Sequence, residues 1–97
     1  MARFELSRLA LTDLHAIADY TLERWGREQG LAYIEALQGR LTELAHQPLL
    51  GRTRDELAQD VLCFAFESHV VFYLGTDFGI SVVRILHKRQ APSRHID

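Results

Sequence analysis

Ninety-seven residues leave room for a single domain, residues 1–97, whose fold removes only about two-thirds of the unfolded chain's surface from water. Apolar residues make up 47% and charged residues 25%, which excludes a disordered chain, and no apolar run approaches the ~20 residues of a membrane-crossing helix. The net charge of −2 is unevenly spread: seven arginines against twelve acids leave −5 up to Val83, while Arg84, Lys88, Arg89 and Arg94 against Asp97 leave +3 beyond it. A broad basic footprint is missing, so direct nucleic-acid binding is not expected.

In chain order, "ARFELS" alternates, with Phe4 and Leu6 on one face and Arg3 and Glu5 on the other, and predicts a short strand with one wet face. The same N-terminal stretch, "MARFELSRL", lacks the long apolar core of a signal peptide. Ser7 is placed to cap a helix from Arg8 to Trp25, whose buried stripe is Ala10, Leu14, Ile17, Thr21 and Trp25. Gly26 ends it, because glycine tolerates the left-handed turn of a C-terminal cap. A second helix follows from Glu28 to His46 with the stripe Ile34, Leu37, Leu41 and Leu44, and Gln47-Pro48 stops it. The short turn predicts an antiparallel helical hairpin. Gly39 lies inside the second helix, either where the first helix approaches closely or as a tolerated exposed glycine.

"LLGRTRDELAQD" reads as a connector with one helical turn at Arg54 to Ala58. The period then changes to two. "VLCFAF", "VVFYL" and "ISVVRIL" are three strands joined by "ESH" and "GTDFG", links short enough for antiparallel neighbours. Cys63, the only cysteine, sits in the first of these runs and predicts a buried thiol in a reducing, cytoplasmic setting. The fold class is α+β: an N-terminal strand, a helical hairpin and a three-stranded antiparallel meander, with the hairpin on one face of the sheet. Leu11, Ala18 and Leu22 add a second apolar stripe beside the first on helix one. Either helix two covers this stripe, or it forms a groove for a partner's amphipathic segment.

Four segments, "LSRLALTDLHAIADYTLERWG", "YIEALQGRLTELAHQPLLGRTRDEL", "FESHVVFYL" and "GISVVRILHKRQAPSRHI", resemble in order the ParE branch of the RelE/ParE toxin family of bacterial type II toxin–antitoxin modules. The resemblance implies the same fold and a cognate ParD-like antitoxin whose C-terminal segment wraps over the toxin in a hetero-oligomeric complex. For the ParE branch it implies poisoning of DNA gyrase. For the RelE branch it implies cleavage of messenger RNA on the ribosome.

The two branches make different chemical demands. Metal-free RNA cleavage needs a base for the 2′-hydroxyl, an acid for the leaving oxygen and cations around the phosphate. The candidates here are Arg52, Arg54, Arg84 and His87. Against a nuclease, Arg40 is the only cation between Glu28 and His46, no tyrosine follows Arg84, and the body charge of −5 opposes docking to a phosphate-rich ribosome. In a regular last strand, moreover, Arg84 shares a face with Val82 and Leu86, and His87 shares the other with Val83 and Ile85. Structural roles compete with catalytic ones: Arg84 pairing with Glu67 or Asp77, Arg52 and Arg54 with Asp55 and Glu56, and His87 with a carbonyl. The expected function is therefore a non-enzymatic inhibitor. Arg84, His87, Lys88 and Arg89 would contact the target, Leu11, Ala18 and Leu22 the antitoxin, and "APSRHID" would be disordered alone. The histidines match no metal spacing and no glycine-rich phosphate loop occurs, so neither metal nor cofactor is expected.

Overall fold

The computed structural model describes residues 1–96. Strand β1 (Arg3–Leu6) turns Phe4 and Leu6 toward the core and leaves Arg3 and Glu5 in solvent. Ser7 then serves two elements at once. Its Oγ accepts from the Ala10 N–H at 2.9 Å, capping the helix, and donates to the Val83 carbonyl at 2.8 Å.

The helical part differs from the expected pair of separate helices. One helical run, α1 (Arg8–His46), contains a single residue outside helical geometry, Gly26, with φ 87° and ψ 171°. That region of backbone space is essentially closed to residues with a Cβ. A straight helix of 39 residues would measure about 58 Å, yet the molecule's longest dimension is 38 Å. The chain therefore bends sharply at Gly26, and the two arms of α1 lie against each other where Leu22 meets Gly30.

The close approach falls at Gly30 and not at Gly39. A Cβ on Gly30 would sit 2.8 Å from Leu22 Cδ2 and 2.9 Å from its Cα, whereas a Cβ on Gly39 meets nothing within 4 Å. Gly30→Ala is expected to cost about 1–2 kcal/mol through overpacking. Gly39→Ala is expected to stabilise by up to ~1 kcal/mol through helix propensity. Urea midpoints of the two variants, moving in opposite directions, check both. Trp25, expected in the buried stripe, is 44% exposed.

The expected three-stranded antiparallel meander is present, but it lies inside a mixed five-stranded sheet. Strands β2 (Arg52–Thr53), β3 (Leu62–Phe66), β4 (His69–Thr76) and β5 (Gly79–His87) give the order β1-β5-β4-β3-β2, with β1 parallel to β5 and all other pairs antiparallel. The connector contributes β2 and a hydrogen-bonded turn from Arg54 to Leu57, with no helical turn.

A bulge in β5 opposite Phe72 and Tyr73 changes the parity of the last strand. Val82 and Ile85 both face the helical layer, while Leu86 faces away. His87 therefore follows Val82 and Ile85, not Val83, and Arg84 keeps company with Leu86. The extra residue moves Val82 off the face of Arg84, while Arg84 and His87 stay on opposite faces as expected, because the bulge precedes both.

Two apolar clusters fill the faces. The larger joins Leu14, Ile17, Leu37 and Leu41 of α1 to Tyr73 and Ile80 of the sheet. The smaller, on the opposite face, joins Val61, Cys63, Phe72 and Leu86 to Ile96. The C-terminal segment is thus ordered onto the sheet: a 3-10 turn at Pro92–Arg94 brings Ile96 to 4% exposure. Its sequence of proline, serine and charged residues concealed the one apolar side chain that anchors it.

Candidate functional site

Arg84 stands where β5 runs past the end of β1, whose pairing stops at Val82. Beyond that point the strand edge lacks a neighbouring strand, and side chains from α1 take over its polar groups. Asp13 makes two bonds of 2.8 Å to Nε and Nη2 of Arg84 and accepts the Ile85 N–H at 3.0 Å. Arg84 Nη1 also donates to the His95 carbonyl at 3.3 Å, tying down the C-terminal segment. The bidentate pair is largely buried, at 14% and 13% side-chain exposure, and hydrogen bonding to Asp13 pushes the arginine's pKa up further. The partner of Arg84 is thus Asp13, not Glu67 or Asp77.

The other proposed cations are not gathered around it. Arg52, Cys63, Phe72 and Arg84 form one row across the sheet, so Arg52 lies three strand spacings, about 14 Å, from Arg84. Arg54 donates to Glu56 at 2.6 Å, which holds that carboxyl below its usual range. His87 belongs to the opposite face from Arg84. On the face that carries Arg52 and Arg84, the space between the strands is occupied by the Val61–Cys63–Phe72–Leu86–Ile96 cluster.

His87 leads instead to a site that the sequence did not reveal. Its Nδ1 accepts the Arg89 N–H at 3.1 Å, in place of the expected bond to a carbonyl. Its ring meets His69 edge-on at 5.4 Å, and His69 Nδ1 lies 2.8 Å from the Tyr33 hydroxyl. Tyr33 in turn packs against Trp25 at 5.9 Å, and Trp25 against Tyr20 at 6.3 Å. These contacts border an open cavity of about 520 Å³ between the bend of α1 and the ends of β4 and β5, with Arg89 and Gln90 among its lining residues. The components lie some seventy positions apart in the chain, on three elements, and each is an ordinary aromatic or histidine in its own segment. The stripe spacing placed Trp25 in the core, so its position beside Gly26 gave no signal of the cavity.

Burial lowers the pKa of His69, and the neighbouring His87 lowers it further. Below the ordinary imidazole value of about 6.5 the unfolded chain therefore binds more protons than the folded one. Stability is complete above that value and falls as the pH drops through it toward the lowered folded pKa. Wild type compared at about pH 7.5 and about pH 5 is expected to lose part of its urea midpoint, and His69→Phe to lose less. The Tyr33 phenol moves the other way, raised chiefly by burial against a backbone hydrogen bond from Ser68.

The proposed antitoxin-contacting residues divide. Leu22 packs on Gly30, so the second arm covers it; Ala18 is half-buried; Leu11 is exposed at 43%, next to Leu9.

Fold and site together define a small α+β domain that presents a cationic strand end beside an aromatic cavity. Residues 4–92 match the family described as the ParE toxin of type II toxin-antitoxin systems, parDE. A Toxin ParE1 of Mycobacterium tuberculosis is 36% identical over 96 residues, 98% of either chain. A Toxin ParE1 of Caulobacter vibrioides is 33% identical over 96 residues, 99% of either chain. The fold is similar to that of a chain in the chromosomal ParDE TA system from P. aeruginosa, with TM-score 0.74 at 21% identity, covering 90% of this chain and 96% of that one. The chain belongs to the ParE toxin family and is a ParE-like toxin of a type II toxin–antitoxin system. Among the described residues no helix is long and apolar enough to cross a membrane.

Proposed function

We propose that this toxin acts by stoichiometric binding, with DNA gyrase as its target and a cognate ParD-like antitoxin as its neutralising partner. The observation that carries the binding reading is the filled sheet face. Arg84 is committed to Asp13 and the His95 carbonyl, Arg54 to Glu56, and the apolar cluster anchored by Ile96 lies between them. An RNA phosphate would have to displace these partners before Arg84 or Arg54 could serve it, and His87 faces the other way as a base. The exposed cations beyond the last strand, Lys88 and Arg89, remain accessible to a macromolecule, with His87 half-buried beside them. Arg84 then acts as the residue that positions this end.

Purified toxin mixed with gyrase and plasmid is expected to accumulate cleaved DNA or block supercoiling. Lys88→Ala combined with Arg89→Ala is expected to weaken that effect by at least about tenfold with the fold intact by circular dichroism. Messages cut on translating ribosomes, with gyrase untouched, would replace this reading by the nuclease one.

A further inference from the structure

We propose that His69 and His87 form a two-histidine clamp for a late first-row divalent cation such as Zn²⁺, at the cavity between the bend of α1 and the ends of β4 and β5. The inference goes beyond the binding reading above and does not depend on it. Spacing along the chain pointed to no metal site, because it is strand pairing that brings these two residues together. They stand directly opposite each other in the β4–β5 ladder. One step beyond the pair, the Lys88 N–H bonds the Ser68 carbonyl at 2.9 Å, while the His87 N–H turns away to Gln90 Oε1 at 2.7 Å. His69 and His87 are therefore a non-hydrogen-bonded pair, the kind in which facing side chains lie closest. Their ring centroids are 5.4 Å apart. Two imidazoles sharing a tetrahedral ion through nitrogens at about 2.0–2.1 Å place their centroids roughly 5 Å apart. The pair already holds the separation that a shared ion requires.

The hydrogen bonds decide which nitrogens ligate. Each Nδ1 has a partner: the Tyr33 hydroxyl at 2.8 Å from His69, and the Arg89 N–H at 3.1 Å from His87. The Nε2 atoms are the ones these contacts leave for an ion. At His69, an Nδ1 proton shared with the Tyr33 oxygen is the outer contact that orients a ligating histidine. At His87, ligation moves the ring proton from Nε2 to Nδ1, so the ion displaces the Arg89 N–H from its acceptor. That change falls in the turn after β5 that also carries the cations assigned to the target. The ligand set suits a borderline ion better than a hard one. Imidazole nitrogen favours zinc, nickel and copper, and among the described residues no carboxylate lines the cavity to hold magnesium or calcium. No group of three His, Cys, Asp or Glu side chains gathers among the described residues, so water completes the coordination in the open cavity.

Trp25 is the only tryptophan and lines the same cavity, so its emission reports on the site. In the tag-free full chain, Ni²⁺ alone is expected to quench Trp25 saturably, with half-saturation below about 100 μM. Zn²⁺ is expected to relieve the quenching by competition, and Mg²⁺ to leave it unchanged. His87→Ala and His69→Phe are each expected to weaken Ni²⁺ binding at least about tenfold with unchanged circular dichroism. His15→Ala, at an exposed histidine of α1, is expected to keep wild-type affinity. In the unsubstituted chain, the ring signals of His69 and His87 are expected to broaden at low Ni²⁺ before those of His15, His46 and His95, a readout that needs no variant to fold. The proposal is overturned by quenching that does not saturate, by Mg²⁺ competing as well as Zn²⁺, or by folded single-histidine variants that bind like wild type. Broadening led by His15, His46 or His95 would mean adventitious surface binding and overturn it equally. An Arg89 amide resonance unmoved by Zn²⁺ would overturn ligation through Nε2 of His87.

Discussion

Asp13→Ala is expected to destabilise the domain by about 3 kcal/mol, a large part of what a chain of this size possesses. Removing this carboxylate leaves two polar groups without their partner in a partly buried place. The Arg84 guanidinium, 14% exposed, loses both of its 2.8 Å bonds, and the Ile85 N–H loses its only acceptor at the strand edge. Water cannot fully replace either, so the cost is that of an uncompensated charge and an orphaned donor together. Asp13→Asn keeps one acceptor oxygen and is expected to lose about half as much. The consequence reaches further than stability. Arg84 also holds the His95 carbonyl, so its release is expected to free the C-terminal segment. Hydrogen exchange at the amides of Arg94, His95 and Ile96 is expected to accelerate in Asp13→Ala before global unfolding, and a segment that stays protected would contradict this linkage.

Tyr73→Phe is expected to cost about 2–3 kcal/mol although it removes a single oxygen atom. Tyr73 is fully buried, and its hydroxyl donates to the Pro48 carbonyl at 2.6 Å while accepting the Gly51 N–H at 2.9 Å. The hydroxyl fastens the segment between α1 and β2 to the centre of the sheet. Phenylalanine retains the apolar packing but leaves a carbonyl and an amide unpartnered beneath that segment. Burial raises the phenol's pKa, so the hydroxyl stays protonated and keeps donating throughout the neutral range. A urea midpoint lowered with little change in slope would agree; a variant as stable as wild type would show that water replaces both bonds.

The two variants expose what local reading could and could not find. Tyr73 was legible as a core position of its strand, yet its partners at Pro48 and Gly51 belong to a segment whose path no periodicity describes. Asp13 was invisible for a different reason. It sits on a helix among other polar residues, and its importance comes from β1 ending at Val82, which leaves a strand edge for a helix side chain to cover. The aromatic cavity escaped for the same reason as Asp13, since Trp25, His69 and His87 acquire meaning only when the bend of α1 meets the ends of β4 and β5.

Local chemistry was enough for the elements themselves. Alternation in "ARFELS", the three- and four-residue stripe from Ala10 through Leu44, the Ser7 cap and the change of period after Val61 depend on neighbours a few positions away, and the structure places them as expected, Trp25 excepted. The resemblance carried by the four quoted segments likewise named the toxin family before any coordinates. Tertiary structure alone decided that the two helical arms approach at Gly30, that β1 joins the sheet in parallel, that a bulge moves Val82 to the face of His87, and that Ile96 closes the open face. Each of those depends on contacts between residues far apart in the chain. Their energies arise from buried polar groups finding partners and apolar surfaces finding cover, and no window along the sequence contains both members of such a pair.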